Sequence, residues 1–157
     1  MTLRFSVGRK ANSEGGEALL QEHLTRVESL RSVLLALCES DQAAYAGWRA
    51  AKARPEDDPE REEALKKATA ESSGVPLATM AAAAQVLEAM VKIKEVSNPW
   101  LRGDLLCSGD LAMAAIRCGR HNVLANVKPG SPDANEANSL LLHAVALIQD
   151  LSARPIE

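Results

Sequence analysis

From Glu17 to Lys52 apolar side chains recur every three or four residues: Leu20, Leu24, Val27, Leu30, Leu34, Leu37, Cys38, Tyr45 and Trp48. That period belongs to an amphipathic helix. A stripe this long needs other long helices to cover it, so the chain is expected to be all-α, a bundle of long antiparallel helices. The composition agrees. Aromatic residues make up only 3% of the chain while Ala and Leu are abundant, which favours close helix–helix packing over a β-sandwich. The 157 residues read as one domain, 1–157, large enough to bury a sizeable core.

The rest of the chain follows the same grammar. Leu3, Phe5 and Val7 alternate with polar residues, as in a short strand, or close the last turn of a helix; Gly8, Arg9 and Lys10 then form a turn. Residues 53–59, with two prolines and an acidic cluster, end the long helix and start the next; the cluster reads as a solvated surface. Glu60 to Ser73 is a charged helix interrupted by Ser72, Ser73 and Gly74. Pro76, suited to a first helical turn, restarts a helix that runs to Lys94 with Leu77, Met80, Ala84, Leu87 and Val91 as its core face. After a loop containing Trp100, expected as a packing anchor, a helix runs from Asp104 to Val127. Ser131 is the cap and Pro132 the first residue of the last helix, which reaches Ala153.

Several function classes are disfavoured. A net charge of −3 and a pI near 5.7 give no basic footprint for nucleic acid. Leu77 to Ile93 is apolar but carries Gln85, Glu88 and Lys92, so it reads as a packed helix rather than a membrane span. No secretory signal precedes it, which points to the cytoplasm. Cys38, Cys107 and Cys118 lack metal or disulfide spacing and are expected to be buried reduced thiols. His23, His121 and His143 show no ligand spacing, and no metal is expected. There is no glycine-rich phosphate loop and no nucleophile elbow.

Carboxylates and amides remain. Asp41 falls on the apolar stripe with Tyr45 one turn later; such a carboxylate pairs, protonates or does chemistry. Asp104 stands where a helix should begin, as a cap or as a carboxylate facing a cationic substrate. Asn122 and Asn126, four apart, share a helix face. They either join an interhelical amide network or bind a ligand.

Asn98, Pro99 and Asp104, followed by Asn122–Val123 and Asn126, resemble the late motif of the formimidoyltetrahydrofolate cyclodeaminase and methenyltetrahydrofolate cyclohydrolase family. That family shows an asparagine, a serine–aspartate pair, and N-V-x-x-N a fixed distance on. Here Gly103 replaces the serine and the spacing is kept. Asp41 with Tyr45 is similar to the family's D-x-x-x-[FY] segment, and the Val75–Pro76–Leu77 restart follows in the expected order. The likeness covers nearly the whole chain, but nothing corresponds to the proline–glycine–glycine–glycine–serine segment that opens the family's domain, so the chain is expected to be incomplete at its N-terminus relative to the family. The resemblance implies a folate one-carbon enzyme acting on the N5/N10 bridge of tetrahydrofolate, by hydrolysis of methenyltetrahydrofolate or cyclodeamination of formimidoyltetrahydrofolate. It implies Asp41 and Asp104 as catalytic carboxylates. Asn122 and Asn126 would meet the pterin edge beside Tyr45. Arg9, Lys10 and Arg102 would meet the glutamate carboxylates. It implies a homodimer, no metal, and no cofactor beyond the tetrahydrofolate-derived substrate.

One geometric constraint follows. Asp104 and Asn122 are 18 positions apart, about 27 Å along one straight helix. Either Gly119 breaks that helix, or the two contact different parts of an extended ligand, or a second chain brings opposite ends together. The competing reading is a non-catalytic helical oligomerisation or binding module in which Asp104 caps, the asparagines pair, and Asp41 lies at a helix edge.

Overall fold

The computed structural model describes residues 1–153, which form four helices and no strand. These are α1 (Glu14–Ala53), α2 (Arg61–Ile93), α3 (Arg102–Asn126), entered through a 3-10 turn at Pro99–Leu101, and α4 (Pro132–Ser152). Neighbours run antiparallel. Gly16 of α1 lies by Val96 just beyond α2, and Gly47 by Glu71; Gly109 and Gly119 of α3 meet Leu87 and Met80 of α2 in reverse order. The all-α bundle expected from the sequence is therefore observed.

α2 is the central element: α1, α3 and α4 all pack on it, and α3 and α4 pack on each other. Its composition explains why. Ala82, Ala83, Ala84 and Ala89 are buried beside Met80, Leu87 and Ile93, so small side chains admit neighbours on several sides. This helix is long and apolar enough to cross a membrane by length and composition alone, but those buried positions serve a helical core.

Two expectations about helix boundaries need correction, and one choice left open by the sequence is decided. α2 is one helix, not two: it runs through Ser72, Ser73 and Gly74 with Pro76 in its interior. An internal proline costs about 3 kcal/mol because it removes one ladder bond and crowds the carbonyl four residues back. The stranded carbonyl is that of Ser72, and the side-chain amide of Asn126 on α3 donates to it at 3.3 Å. The Ser73 hydroxyl meanwhile donates to Asp133 of α4 at 2.8 Å, and the Pro76 ring is buried. Tertiary contacts thus hold a helix together where local sequence argues for a break. Asp104 is not the cap of α3 but lies exposed in its first turn, because the 3-10 turn leads straight into the helix and Asn98 accepts from the Trp100 N–H instead. Of the two readings of the N-terminal residues, strand or helical turn, the helical one holds, with the Val7 N–H bonded to the Leu3 carbonyl.

Other expectations hold or fail by burial. Ser131 does cap α4, with Pro132 following it. Trp100 is no packing anchor, being 89% exposed. The three cysteines are free and exposed. Cys107 and Cys118 lie outside the buried stripe of α3, which runs through Leu105, Met113, Ile116 and Val123. Cys38 belongs to the outer half of α1, where Ala44 and Ala51 alone are buried after Leu30.

Candidate active site

α1 and α3 lie along α2 without close backbone approach to each other. A trough remains between them, floored by α2. Toward the C-terminal ends of α1 and α3 it opens into a groove of about 380 Å³, within the usual size range of small-molecule sites. Asp41, Tyr45 and Trp48 enter it from α1, Ser72 and Pro76 from α2, and Asn122 and Asn126 from α3.

Each wall has a local cause. Asp41, Tyr45 and Trp48 are spaced four and three apart, so one face of α1 presents all of them, while Ala44 between them is buried. On α3, Gly119 sets the depth: a Cβ built there would lie 2.5 Å from the Met80 Cγ and 3.1 Å from the Pro76 carbonyl oxygen. Only glycine admits that approach, and it carries the next turn, with Asn122 and Asn126, up to Ser72. The Asn126 Nδ2 donates to the Ser72 carbonyl at 3.3 Å and to the Asn122 carbonyl at 3.0 Å. Both partners can only accept, so the NH₂ must face them. What Asn126 offers a ligand is its side-chain oxygen.

Among the described residues the Asp41 carboxylate has no hydrogen-bond or ion-pair partner, and it is exposed to the groove. Tyr45 is 63% exposed beside it. The groove thus offers acceptors: a free carboxylate, a main-chain carbonyl and an amide oxygen. At its margin Lys52 places its Nζ 5.1 Å from the centre of the Trp48 ring, a cation–π contact that holds a positive charge nearby. Among the described residues no group of three His, Cys, Asp or Glu side chains is placed to hold a metal.

Asp41, Tyr45, Asn122 and Asn126, singled out from sequence, therefore converge. The other four do not join them. α3 is continuous through Gly119, so Asp104 stays at the far end of the helix. Arg102, at that same end, donates to the carbonyls of Leu151 and Ala153 at 2.6 and 3.3 Å, closing the C-terminus of α4. Arg9 and Lys10 follow Gly8, whose positive φ of 75° makes the turn and whose N–H is held by the Glu17 carboxylate. Glu17 is 24 residues before Asp41 on the same helix, about 36 Å away.

Sequence reasoning missed Ser72, Pro76 and Trp48 as site residues. For the first two a signal existed: a proline four residues after any helical residue strands that residue's carbonyl. Reading Pro76 as a helix start concealed it.

A larger cavity of about 880 Å³ occupies the other end of the trough, lined by Leu3, Phe5, Leu24, Val27, Met90 and Leu105 among others. Its lining is more apolar than polar, and of its charged residues Arg4 pairs with Glu28 while Arg31 stands beside them.

Comparison with known proteins adds three findings. The family model described as formiminotransferase-cyclodeaminase matches residues 1–142. No curated protein matches the sequence. Among solved structures, the crystal structure of formiminotetrahydrofolate cyclodeaminase from Thermotoga maritima superposes with a TM-score of 0.85, covering 96% of this chain and 76% of that one at 22% identity; at that identity the likeness is one of fold.

Proposed function

Given that the chain belongs to the formiminotransferase-cyclodeaminase family, we propose that it is a folate one-carbon enzyme. It acts on the N5/N10 bridge of tetrahydrofolate, as a methenyltetrahydrofolate cyclohydrolase or a formimidoyltetrahydrofolate cyclodeaminase. The observation that carries this reading is the convergence of Asp41, Tyr45, Asn122 and Asn126 from two distant helices into one groove.

Methenyltetrahydrofolate carries a cationic amidinium carbon between N5 and N10. In this reading the Asp41 carboxylate opposes that charge and takes a proton from the water that adds to the carbon. The C–N5 bond then breaks as N5 receives that proton and the carbinol hydroxyl releases its own to solvent, leaving a formyl group on N10. In cyclodeamination N10 attacks the formimidoyl carbon, Asp41 accepts the N10 proton, and a proton passes to the departing ammonia. Tyr45 and the asparagines orient the pterin. Asp104 does not reach this centre within one chain, so Asp41 is the working carboxylate. In this reading Lys52, held over Trp48, meets the substrate's glutamate carboxylates in place of Arg9, Lys10 or Arg102. The homodimer implied by the family belongs to the same proposal, with each groove complete within one subunit; the reaction itself asks for no metal or further cofactor, and the setting is cytoplasmic.

The test is the loss of methenyltetrahydrofolate near-ultraviolet absorbance, with wild-type protein and with Asp41→Asn. Turnover that Asp41→Asn abolishes while helical circular dichroism is unchanged supports the proposal. A folded wild-type protein that leaves the absorbance untouched overturns it in favour of a non-catalytic helical module.

A further inference from the structure

The helix break that does not happen at Pro76 leaves a functional trace. In an unbroken α-helix the carbonyl of residue 72 is consumed by the N–H of residue 76. Here residue 76 is proline, which has no N–H, and Ser72 lines the groove. The Asn126 side-chain amide donates to the Ser72 carbonyl at 3.3 Å. A carbonyl oxygen has two lone pairs, so it can accept a second donor beside that of Asn126. The Ser72 hydroxyl does not compete for it, because it donates back to the Ala68 carbonyl at 2.8 Å. The Asn126 side-chain oxygen belongs to the same amide that touches Ser72, so it opens beside that carbonyl as a second acceptor.

We propose that Pro76 is a positioning residue that frees the Ser72 main-chain carbonyl to recognise an N–H donor of the ligand, with the Asn126 oxygen as its companion acceptor. The ligand group that matches two adjacent acceptors is an amino group with two hydrogens on a planar ring. Resting on the folate reading above, that group is the exocyclic 2-amino group of the pterin, which sets this end of the groove as the pterin subsite. The Asp41 carboxylate on the facing helix is then left for the one-carbon bridge.

Pro76→Ala tests this, because it supplies an N–H that takes the Ser72 carbonyl back into the helix ladder. Helix propensity predicts a melting temperature equal to or above that of the wild type. Calorimetric titration with 5-formyltetrahydrofolate is expected to show affinity falling about five- to tenfold. A purely structural proline predicts the opposite pairing, with stability changed and affinity kept. Replacing the ligand by its 2-desamino-2-methyl analogue completes a cycle: the analogue binds more weakly than 5-formyltetrahydrofolate to the wild type, and the difference shrinks in Pro76→Ala. Pro76→Ser, which also restores the N–H with a small side chain, repeats the measurement should the alanine variant pack badly. Wild-type binding with unchanged affinity in the folded variants, or an undiminished analogue penalty, removes the subsite and leaves the folate reading standing. No binding of 5-formyltetrahydrofolate by the wild type removes both.

Discussion

The two ends of the trough between α1 and α3 are built from the same three helices, yet they differ in kind. At the end near Asn126, α2 carries Pro76 within its run, the Ser72 carbonyl accepts from the Asn126 side chain, and a free carboxylate stands opposite. At the end near Leu105, the α2 positions are Met90 and Ile93 with no proline between them, and apolar side chains line the walls together with Arg4, Glu28 and Arg31. An intact helix presents only its side chains, because its backbone polar groups are consumed internally. A proline inside a buried helix exposes one of them. The two spaces thus differ in what they offer: acceptors at one end, apolar walls with the Arg4–Glu28 pair and Arg31 at the other.

The largest expected effect lies at the polar end. Asp41→Asn should lower turnover by at least about a hundredfold, the usual scale for removing a general base, with thermal stability within about 0.5 kcal/mol of wild type because the side chain is exposed. The mirror experiment is Leu105→Ala at the apolar end. Leu105 is 2% exposed, so unfolding by denaturant should show a loss of about 2–3 kcal/mol, the lower part of the range for buried leucines because a cavity already adjoins it. A large activity loss with full stability in Leu105→Ala would break the contrast between the ends.

Gly119→Ala comes next and links the two properties. Its Cβ would meet the Met80 Cγ at 2.5 Å, and forcing α3 outward should cost about 1–3 kcal/mol while lifting Asn122 and Asn126 away from Ser72, so denaturation midpoint and substrate KM should worsen together. The smallest effect is assigned to Asp104→Asn. An exposed acid in a first helical turn contributes about 0.3–1 kcal/mol through the helix dipole, and turnover should fall less than about threefold. A loss matching that of Asp41→Asn would show that the far end of α3 works in the reaction, which needs a second subunit to deliver it.

How far the sequence carried depends on whether a residue's partner was local. Ser131 and Pro132 were legible as a helix start because cap and first turn are adjacent in the chain. The helical faces of α2 and α4 were legible because their period is local too. Pro76 was misread because what compensates it, Asn126, lies 50 positions away, and no propensity argument sees that far. Trp100 and the cysteines failed for a related reason: residue type suggested burial, but burial depends on which helices meet; Cys38 lies on α1, which meets α2 alone among the described helices, and Cys107 and Cys118 lie off the buried stripe of α3. Among candidate site residues, periodicity with the family likeness picked out Asp41, Tyr45, Asn122 and Asn126, which converge. Asp104, Arg9, Lys10 and Arg102 were drawn from the likeness and from charge, and they sit at the opposite end.

That one-sided support of α1 has a mechanical meaning. Beyond Leu30, the helix that carries Asp41 touches its neighbours chiefly through Ala44 and Ala51, whereas the asparagines ride on α3, which α2 and α4 hold from two sides and Gly119 pins. The carboxylate is mounted on a cantilever and the amides on a fixed post. Few apolar contacts restrain the arm, so its local opening free energy is drawn from the low end of the molecule's range. A ligand bridging arm and post would take up that freedom, so the ordering cost of binding falls almost wholly on the outer half of α1.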